Sequence, residues 1–336
     1  MVVDDKFFMD LTLKEAWSSQ ILTYPNPAVG CAIVKGSGEL LCVEAHKKAG
    51  GPHAEVLALQ SAYHKLTDDS NILPLTSSKE IHDYILKNHH GCFKECTLYV
   101  TLEPCVHEGK TPSCAALISQ LGVKRVVMAS ADESQKAKGG AKMVSRSGTK
   151  VEFSSLQAKG AELLSPFLKW SQERFVFFKW AQRLDGTIDG GVISSKESRE
   201  LVHRMRDVCD LIVVGGETVR TDRPTLDARL CGGKAPDVLI VSRGKEFDKN
   251  IPLFNVPGRK VMIEKDFDKI RDYNCILIEG GSNMFEFSKK YVDYHLCFVS
   301  LKSGGKIRFH KNNDDFELLH VEKISDDILM WMKLKG

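Results

Sequence analysis

The stretch TLYVTLEPC, residues 97–105, is apolar and rich in β-branched residues, and it predicts a strand that ends at Pro104. Three other short apolar runs bounded by turn residues also predict strands, namely AVGCAIV (28–34), ELLCVEAH (39–46) and KRVVMAS (124–130). Apolar spacing predicts helices over residues 7–20, 53–63, 78–88 and 115–121. Because strands alternate with helices, the first half of the chain is expected to be α/β.

The second half of the chain carries its own strand pattern. The predicted strands are RFVFFKWAQ (174–182), LIVVGG (211–216), DVLIVS (237–242), KVMI (260–263) and CILIEGG (275–281). Ser194 and Glu197 form a capping-box sequence, which predicts the start of a helix after the first of these strands. This half is therefore also expected to be α/β. We expect two domains, residues 1–153 and 172–336, joined by a bridging helix over 154–171.

Length and composition agree with this division. Single hydrophobic cores stop growing near roughly 250–300 residues, and the chain has 336. The formal net charge is only +3, which gives no general electrostatic reason to expect nucleic-acid binding. The ten cysteines have no repeating spacing, the first residues do not resemble a secretory signal, and no window approaches 18 uninterrupted apolar residues. We therefore expect a cytoplasmic protein with reduced thiols and without nucleic-acid or membrane partners.

A zinc site is the sharpest chemical prediction. His53 is followed two residues later by Glu55, and Cys105 and Cys114 follow further along the chain. One histidine and two cysteines leave the fourth tetrahedral position open for water, as in catalytic zinc sites, and zinc lowers the pKa of that water to about 7. Glu55 can take the proton from the water and return it to the substrate. The H-x-E … P-C pattern is typical of zinc nucleobase deaminases.

The cysteine spacing departs from that pattern. In deaminases that act on cytidine or tRNA, the second cysteine usually lies three residues after the first, whereas position 108 is Glu in this chain. Cys92 and Cys96 form a rival C-x-x-x-C pair near His89 and His90. We interpret that pair as a local feature of an inserted segment rather than as ligands of the catalytic metal.

The sequence resembles the bifunctional deaminase–reductases of riboflavin biosynthesis. In the first half the resemblance lies in YPNPAVGCAIV (24–34), HKKAGGPHAEVLAL (46–59) and TLEPCVHEGKTPSC (101–114). In that family an H-x-G-[KR]-T-P segment precedes the second zinc cysteine, and residues 107–112 match it, which explains the late position of Cys114. In the second half the resemblance lies in FVFFKWAQRLDGTI (175–188), residues 198–229 and LIEGGSNMF (277–285).

The resemblance implies a cytidine-deaminase fold, a three-layer α/β/α domain, for the first half. It implies that Glu55 moves the proton and that the zinc ligands are His53, Cys105 and Cys114. The implied reaction is deamination of a small phosphorylated pyrimidine, 2,5-diamino-6-ribosylamino-4(3H)-pyrimidinone 5′-phosphate. The implied substrate contacts are Asn26, His46, His107, Lys110 and Thr111.

For the second half the resemblance implies a dihydrofolate-reductase-like α/β domain that reduces the ribosyl group to ribityl with NADPH, giving 5-amino-6-(5-phospho-D-ribitylamino)uracil. The implied coenzyme contacts are Ala181, Thr218, Asp222, Leu226, Gly280, Gly281, Ser282, Asn283, Met284 and Phe285. The implied substrate contacts are Arg206, Arg229 and Glu279. Lys179 is expected to donate a proton or polarise the opened ring, with a structural ion pair as its alternative role. Arg220 and Arg223 are the arginines expected near the 2′-phosphate.

Several positions depart from the family pattern and keep other functions open. Arg183 stands where the family has a serine, and residues 190–193 are a shortened form of a G-E-S-x-W-I segment. These departures motivate a second hypothesis, a deaminase whose reductase-like half is inactive. A nucleic-acid deaminase and a non-enzymatic zinc module are further alternatives; the low net charge disfavours the former and Glu55 the latter. We expect the protein to form a homo-oligomer.

Overall fold

A five-stranded sheet, in the order β2-β1-β3-β4-β5, forms the centre of the first half of the computed structural model. Its strands are β1 (Gly30–Val34), β2 (Leu40–Ala45), β3 (Thr97–Val100), β4 (Arg125–Met128) and β5 (Lys150–Phe153). β1 runs antiparallel to β2 and β3, whereas β3, β4 and β5 are parallel. The structure describes residues 3–107, 111–132, 139–244, 246–309 and 313–335. The chain divides into two compact units, Met1–Ser165 and Pro166–Gly336.

Helices cover both faces of this sheet. They are α1 (Asp5–Trp17), α2 (Ala54–Thr67), α3 (Ser78–Asn88), α4 (Cys114–Leu121) and α5 (Gly140–Arg146). On one face Ile33, Leu98 and Val126 share a core with side chains of α2, α3 and α4. Tyr99 follows Leu98 in β3, so its side chain points to the opposite face. There its ring lies 5.2 Å from that of Phe8 in α1, which completes a three-layer α/β/α arrangement.

The inserted segment contributes α3 to the layer that holds α2 and α4. Ser77 accepts a hydrogen bond from the Glu80 backbone N–H at 3.2 Å, and the Glu80 carboxylate accepts one from the Ser77 backbone N–H at 3.4 Å. This capping box begins the helix that was predicted over 78–88. Ile81 and Ile85 are buried on its inner face, where α3 packs against α2 and α4.

An eight-stranded sheet, in the order β12-β13-β11-β6-β10-β7-β8-β9, forms the second unit. Its strands are β6 (Phe175–Arg183), β7 (Leu211–Gly215), β8 (Asp237–Val241), β9 (Val261–Glu264), β10 (Cys275–Glu279), β11 (Tyr294–Ser300), β12 (Phe316–Ile324) and β13 (Asp327–Leu334). Neighbours from β11 to β9 pair in parallel, and β13 is antiparallel to β11 and β12. The remaining helices are α6 (Gln157–Gln172), α7 (Lys196–Val208), α8 (Gly216–Asp222) and α9 (Ser282–Ser288). In the described part of the chain, no helix is both long enough and apolar enough to cross a membrane.

The structure corrects two details of the predicted elements. The start of α7 is one residue later than predicted, because Ser195 rather than Ser194 caps the helix by accepting from the Ser198 backbone N–H at 3.1 Å. Ser195 is held there by its own N–H, which donates to Asp327 at 2.7 Å. The strand predicted over 97–105 ends at Val100, since the following residues leave the sheet.

Candidate active sites

The first candidate site lies where β3 ends and two helices begin. His53 is the N-cap residue of α2, and Cys114 is the first residue of α4. Cys105 follows β3 by five residues, and its carbonyl accepts hydrogen bonds from the Ala115 backbone N–H and from the Ser113 hydroxyl. These contacts fold the segment from Cys105 back onto the start of α4, so that three separate elements deliver their side chains to one point.

A histidine and two cysteines meet there. His53 Nδ1 lies 3.6 Å from Cys105 Sγ and 3.4 Å from Cys114 Sγ. Within the described residues, these three form the one group of three or more His, Cys, Asp or Glu side chains whose ligand atoms all lie within 4.8 Å of one another, and Cys92 and Cys96 are outside it. Hydrogen bonds from Cys114 and His53 lower the pKa of the Cys105 thiol to about 4. A half-buried imidazole with two buried cysteine sulfurs is a donor set that zinc prefers, so the residues fit the ion.

Thr111 orients the histidine of this cluster. Its hydroxyl lies 3.3 Å from His53 Nε2, on the side of the ring away from the two sulfurs. If Nδ1 is the ligand atom, Nε2 carries the proton and donates it to the Thr111 oxygen, which fixes the tautomer. Thr111 was expected to contact the substrate, and this contact with His53 was not predicted.

Glu55 lies beside the cluster without belonging to it. Only 4% of its surface is exposed, and burial is the main cause that raises the pKa of its carboxyl to about 7, with the charge of His53 as the largest effect in the opposite direction. A buried carboxyl next to the open position of the cluster is placed to exchange protons there.

Asn26 and His46 form a pair close to the same cluster. His46 is only 2% exposed. Its Nδ1 lies 2.9 Å from the Pro52 carbonyl, which can only accept, so Nδ1 donates and Nε2 accepts from the Asn26 amide at 3.2 Å. The His46 ring is 5.5 Å from the His53 ring. Of the other predicted substrate contacts, His107 is exposed and Lys110 lies outside the described residues.

Glu103 organises the wall of this site, a role that the sequence analysis missed. Its buried carboxylate accepts hydrogen bonds from three backbone N–H groups, those of Asp132 (3.0 Å), Gly139 (3.1 Å) and Ala141 (2.8 Å). These hydrogen bonds hold the start of α5 in contact with Glu103 and Pro104, the two residues before Cys105. The approach is so close that a Cβ atom on Gly140 would lie 1.8 Å from the Pro104 carbonyl oxygen.

The second candidate site centres on Glu279, the last residue of β10. Arg206 holds its carboxylate with two bonds, from Nε at 2.7 Å and from Nη2 at 2.9 Å. Lys179 of β6 lies opposite Glu279 in the register, and its Nζ is 3.7 Å away. Burial would raise the pKa of Glu279, but the charges of Arg206 and Lys179 outweigh it and lower the pKa to about 2. Arg229 is exposed and pairs with Asp227 at 2.5 Å.

A cleft of about 560 Å³ opens at the carboxyl ends of the parallel strands of this unit. Six of the predicted coenzyme contacts line it: Thr218, Asp222, Gly281, Ser282, Asn283 and Met284. Four do not: Ala181, Leu226, Gly280 and Phe285. The Phe285 side chain is 1% exposed, with its ring 5.6 Å from that of Phe178, so a contact from this residue can come only from its backbone.

The two arginines expected near the coenzyme 2′-phosphate do not line the cleft, although Arg220 Nη2 donates to the hydroxyl of Ser242, which does. Arg220 lies over the Phe247 ring at 4.3 Å, and Arg223 pairs with Asp248 at 2.7 Å. The cations that line the cleft are Arg243 and Lys265, which follow β8 and β9. Both are exposed, and neither forms an ion pair with another described residue. They were not predicted, because no local pattern marks them.

Arg183 compensates for the shortened segment that follows it. The side chain is 7% exposed and donates to two consecutive carbonyls, those of Asp189 and, at 3.2 Å, Gly190. The arginine that departs from the family pattern thus braces the 189–190 turn, and residues 190–193 do not line the cleft.

Comparison with known proteins finds a match to a known family in each half of the chain. The cytidine and deoxycytidylate deaminase zinc-binding region matches residues 2–130, and the RibD C-terminal domain matches residues 174–330. The riboflavin biosynthesis protein RibD of Aquifex aeolicus is 31% identical over 315 residues, which cover 89% of this chain and 81% of that protein. The chain belongs to the RibD family. RibD of Mycobacterium tuberculosis strain H37Rv is likewise 31% identical over 294 residues, covering 82% of this chain and 78% of that protein.

The solved structures extend the RibD likeness to the fold. A deaminase/reductase from Thermotoga maritima, named as acting on diaminohydroxyphosphoribosylaminopyrimidine and on 5-amino-6-(5-phosphoribosylamino)uracil, superposes with a TM-score of 0.63 at 27% identity and covers 98% of each chain. The family and the fold classes predicted from the sequence are therefore confirmed. Both RibD activities of riboflavin biosynthesis are represented, one by a zinc-binding deaminase domain and the other by an NADPH-dependent reductase domain.

Proposed function

We propose that the chain catalyses two successive steps on one molecule. Residues 1–153 deaminate 2,5-diamino-6-ribosylamino-4(3H)-pyrimidinone 5′-phosphate, and residues 172–336 reduce the product to 5-amino-6-(5-phospho-D-ribitylamino)uracil, with 154–171 as the bridge. The observation that carries this proposal is the cluster of His53, Cys105 and Cys114 with the buried Glu55 beside it.

In the deaminase half, the chain's own residues bind, orient and transfer a proton. Zinc held by the cluster supplies a Lewis acid that makes water nucleophilic near neutral pH. Glu55 accepts a proton from the attacking water and delivers it to the substrate. Asn26, whose amide orientation is set by His46, binds the amide edge of the pyrimidine. Thr111 keeps the His53 ring in place. His107 and Lys110 are proposed for the phosphate.

In the reductase half, the site must protonate an oxygen as the hydride arrives. NADPH, when bound, would supply hydride to C1′ of the ribosyl group. We assign to Lys179 the donation of a proton to the ring oxygen, whose bond to C1′ breaks. Burial lowers the pKa of Lys179, although Glu279 acts against this, and the lowered pKa favours proton donation. Arg206 and Arg229 are proposed for the 5′-phosphate, and Glu279 for the sugar hydroxyls.

The cleft beside this site is proposed to bind NADPH. Its floor is formed by glycine turns after β7 and β10, and its open side presents Arg243 and Lys265. Two cations without an ion-pair partner among the described residues suit the phosphate groups of the coenzyme. The predicted contacts that line the cleft, such as Thr218 and Asn283, are proposed to hold its remainder.

The test is an assay of both activities on the purified chain. Ammonia release from the diaminopyrimidinone substrate should require zinc, and NADPH oxidation should follow once the deaminated product is present. Ammonia release without NADPH oxidation would support the alternative of a deaminase with an inactive reductase-like half. Binding of tRNA with a steep salt dependence, in the absence of turnover, would instead support a nucleic-acid deaminase.

We further propose a cytoplasmic homo-oligomer that acts on small molecules and has no nucleic-acid or membrane partner. The net charge of +3 supports the last point, because a few placed arginine and lysine side chains are enough to bind a small phosphorylated substrate. Sedimentation equilibrium of the purified chain tests the oligomeric state.

A further inference from the structure

The loop between α8 and β8 carries an unusual backbone conformation close to the reductase site. Leu226 has φ = 53°, in the left-handed region that side chains other than glycine rarely adopt. Such conformations persist only where the surrounding structure holds them, and they are concentrated at functional sites. Leu226 is also 7% exposed, so the strained residue is locked into the protein interior.

Arg259, which precedes β9, holds this residue by its backbone. Its Nη1 donates to the Thr225 carbonyl at 2.8 Å, and its Nη2 donates to the Leu226 carbonyl. The planar guanidinium thus bridges two consecutive carbonyls, which the ammonium of a lysine cannot do with the same geometry. Its Nε is buried and has no hydrogen-bond partner among the described residues. Burial lowers the pKa of Arg259 to about 10, so the group remains charged at neutral pH.

The next carbonyl of the same loop is held by an arginine of the proposed substrate site. Arg206 Nη1 donates to the Asp227 carbonyl at 3.3 Å, while the other nitrogens of Arg206 bind Glu279. The Asp227 side chain in turn pairs with Arg229. Two arginines therefore donate hydrogen bonds to three consecutive carbonyls. Arg206 belongs to the proposed substrate site, and Arg259 lies outside it.

We propose that Arg259 is a positioning residue of the reductase. By holding Leu226 in its left-handed turn, it sets the placement of Asp227 and Arg229 beside the substrate site. This inference rests on the proposed function of the reductase half. Arg259 is assigned no contact with substrate or coenzyme; it acts through the carbonyls of Thr225 and Leu226.

The test compares Arg259→Gln and Arg259→Lys with Arg271→Gln as the matched control. Arg271 is a largely exposed arginine of the same unit, and its one ion pair with another described residue is with Asp268 at 4.0 Å. Both Arg259 variants should raise KM for the deaminated substrate on the order of tenfold, with kcat changed less than about threefold, because binding groups are displaced while the hydride transfer geometry is kept. The deaminase rate of the same chain should be unchanged, and Arg271→Gln should leave both activities as they are.

A second measurement does not depend on activity. Amide hydrogen exchange over residues 223–230 should quicken in both Arg259 variants and not in the control. An unchanged KM together with unchanged exchange would overturn the inference. So would equal losses of kcat in both activities with a lowered melting temperature, since that pattern means a general structural role. If the wild-type chain releases ammonia but never oxidises NADPH, the proposed reductase function fails, and the exchange comparison still decides whether Arg259 holds the loop.

Discussion

At the scale of single residues, the zinc cluster could be predicted, and the groups that support it could not. His53, Cys105 and Cys114 stand out because histidine and cysteine are typical zinc ligands, and three of them leave one tetrahedral position free for water. Thr111 bonds to His53 only because the chain folds back after Cys105, and no short pattern records that contact. Glu103 binds three backbone N–H groups of residues 29, 36 and 38 positions further along the chain, which again only the folded chain brings together.

Glu55→Gln tests the proton-transfer role. The variant should retain zinc, because Glu55 is not among the grouped ligands, and should lose deamination by a factor of about 10² to 10⁴, because the amide cannot accept a proton. Zinc content by atomic absorption and ammonia release are the two measurements. Full deaminase activity in this variant would show that another group moves the proton.

Cys114→Ser tests the ligand assignment. Loss of one thiolate from a buried three-ligand set should remove most of the zinc at equal chelator concentration, and deamination with it. Cys92→Ser and Cys96→Ser are the matched controls, since both cysteines lie outside the cluster. Zinc retained in Cys114→Ser but lost in either control would assign the ligands differently.

Glu279→Gln tests the ion pairs that Glu279 forms with Arg206 and Lys179 in the reductase half. The variant leaves Arg206 and Lys179 half-buried without their carboxylate, which should lower the free energy of unfolding by about 3–5 kcal/mol at pH 7. The pKa of Glu279 is lowered from 4.5 to about 2, so its stabilising contribution is complete above pH 4.5 and is lost as pH falls toward 2.

Urea unfolding at a series of pH values measures this difference. The difference in the free energy of unfolding between wild type and Glu279→Gln should therefore become smaller below pH 4.5. Glu173→Gln, an exposed position in the same unit, should show a gap within about 0.5 kcal/mol at every pH. If the difference in the free energy of unfolding between wild type and Glu279→Gln grew as the pH was lowered, the pKa of Glu279 could not be lowered in the folded state.

At the scale of elements, the strands with a clear apolar run were predicted. The last three strands of the second unit, β11, β12 and β13, were not. β11 is buried along its whole length and fits a strand, but its place between β6 and β13 depends on pairing that sequence does not display. β12 mixes charged and apolar residues without a regular alternation, and none of its residues is buried, so its burial signal is weak. The start of α7 shifted by one residue because Asp327, a distant residue, holds Ser195.

Gly140→Ala tests the close approach of α5 to the segment before Cys105. The added methyl group collides with the Pro104 carbonyl, so the helix must move, and we expect a loss of about 1–3 kcal/mol in the stability of the first unit. Thermal unfolding together with zinc affinity measures the effect. Ser145→Ala, an exposed substitution on the same helix, is the control and should be neutral. An equally stable Gly140→Ala would mean that α5 packs less closely than the structure shows.

At the scale of the whole molecule, each compact unit contains the side chains of one proposed chemistry. The division of the chain follows from its length and from its two strand sets, which is why sequence alone could anticipate it. The activities should therefore be separable. Removing zinc with a chelator should abolish ammonia release and leave NADPH oxidation of the deaminated product within about twofold. Restoring zinc should recover deamination. Loss of both activities on chelation would indicate that the reductase unit also depends on the metal.

The position of β11 has a consequence for synthesis of the chain. β6 pairs with β10 on one side and with β11 on the other, and β11 is followed in the sheet by β13 and β12. Translation proceeds from the N-terminus, so the deaminase unit can complete its sheet first. At that stage one edge of β6 is still unpaired, because residues 294–334 have not yet been synthesised. An unpaired, apolar strand edge invites pairing with other chains. The nascent reductase half, rather than the deaminase half, is therefore the part of this polypeptide that requires shielding on the ribosome.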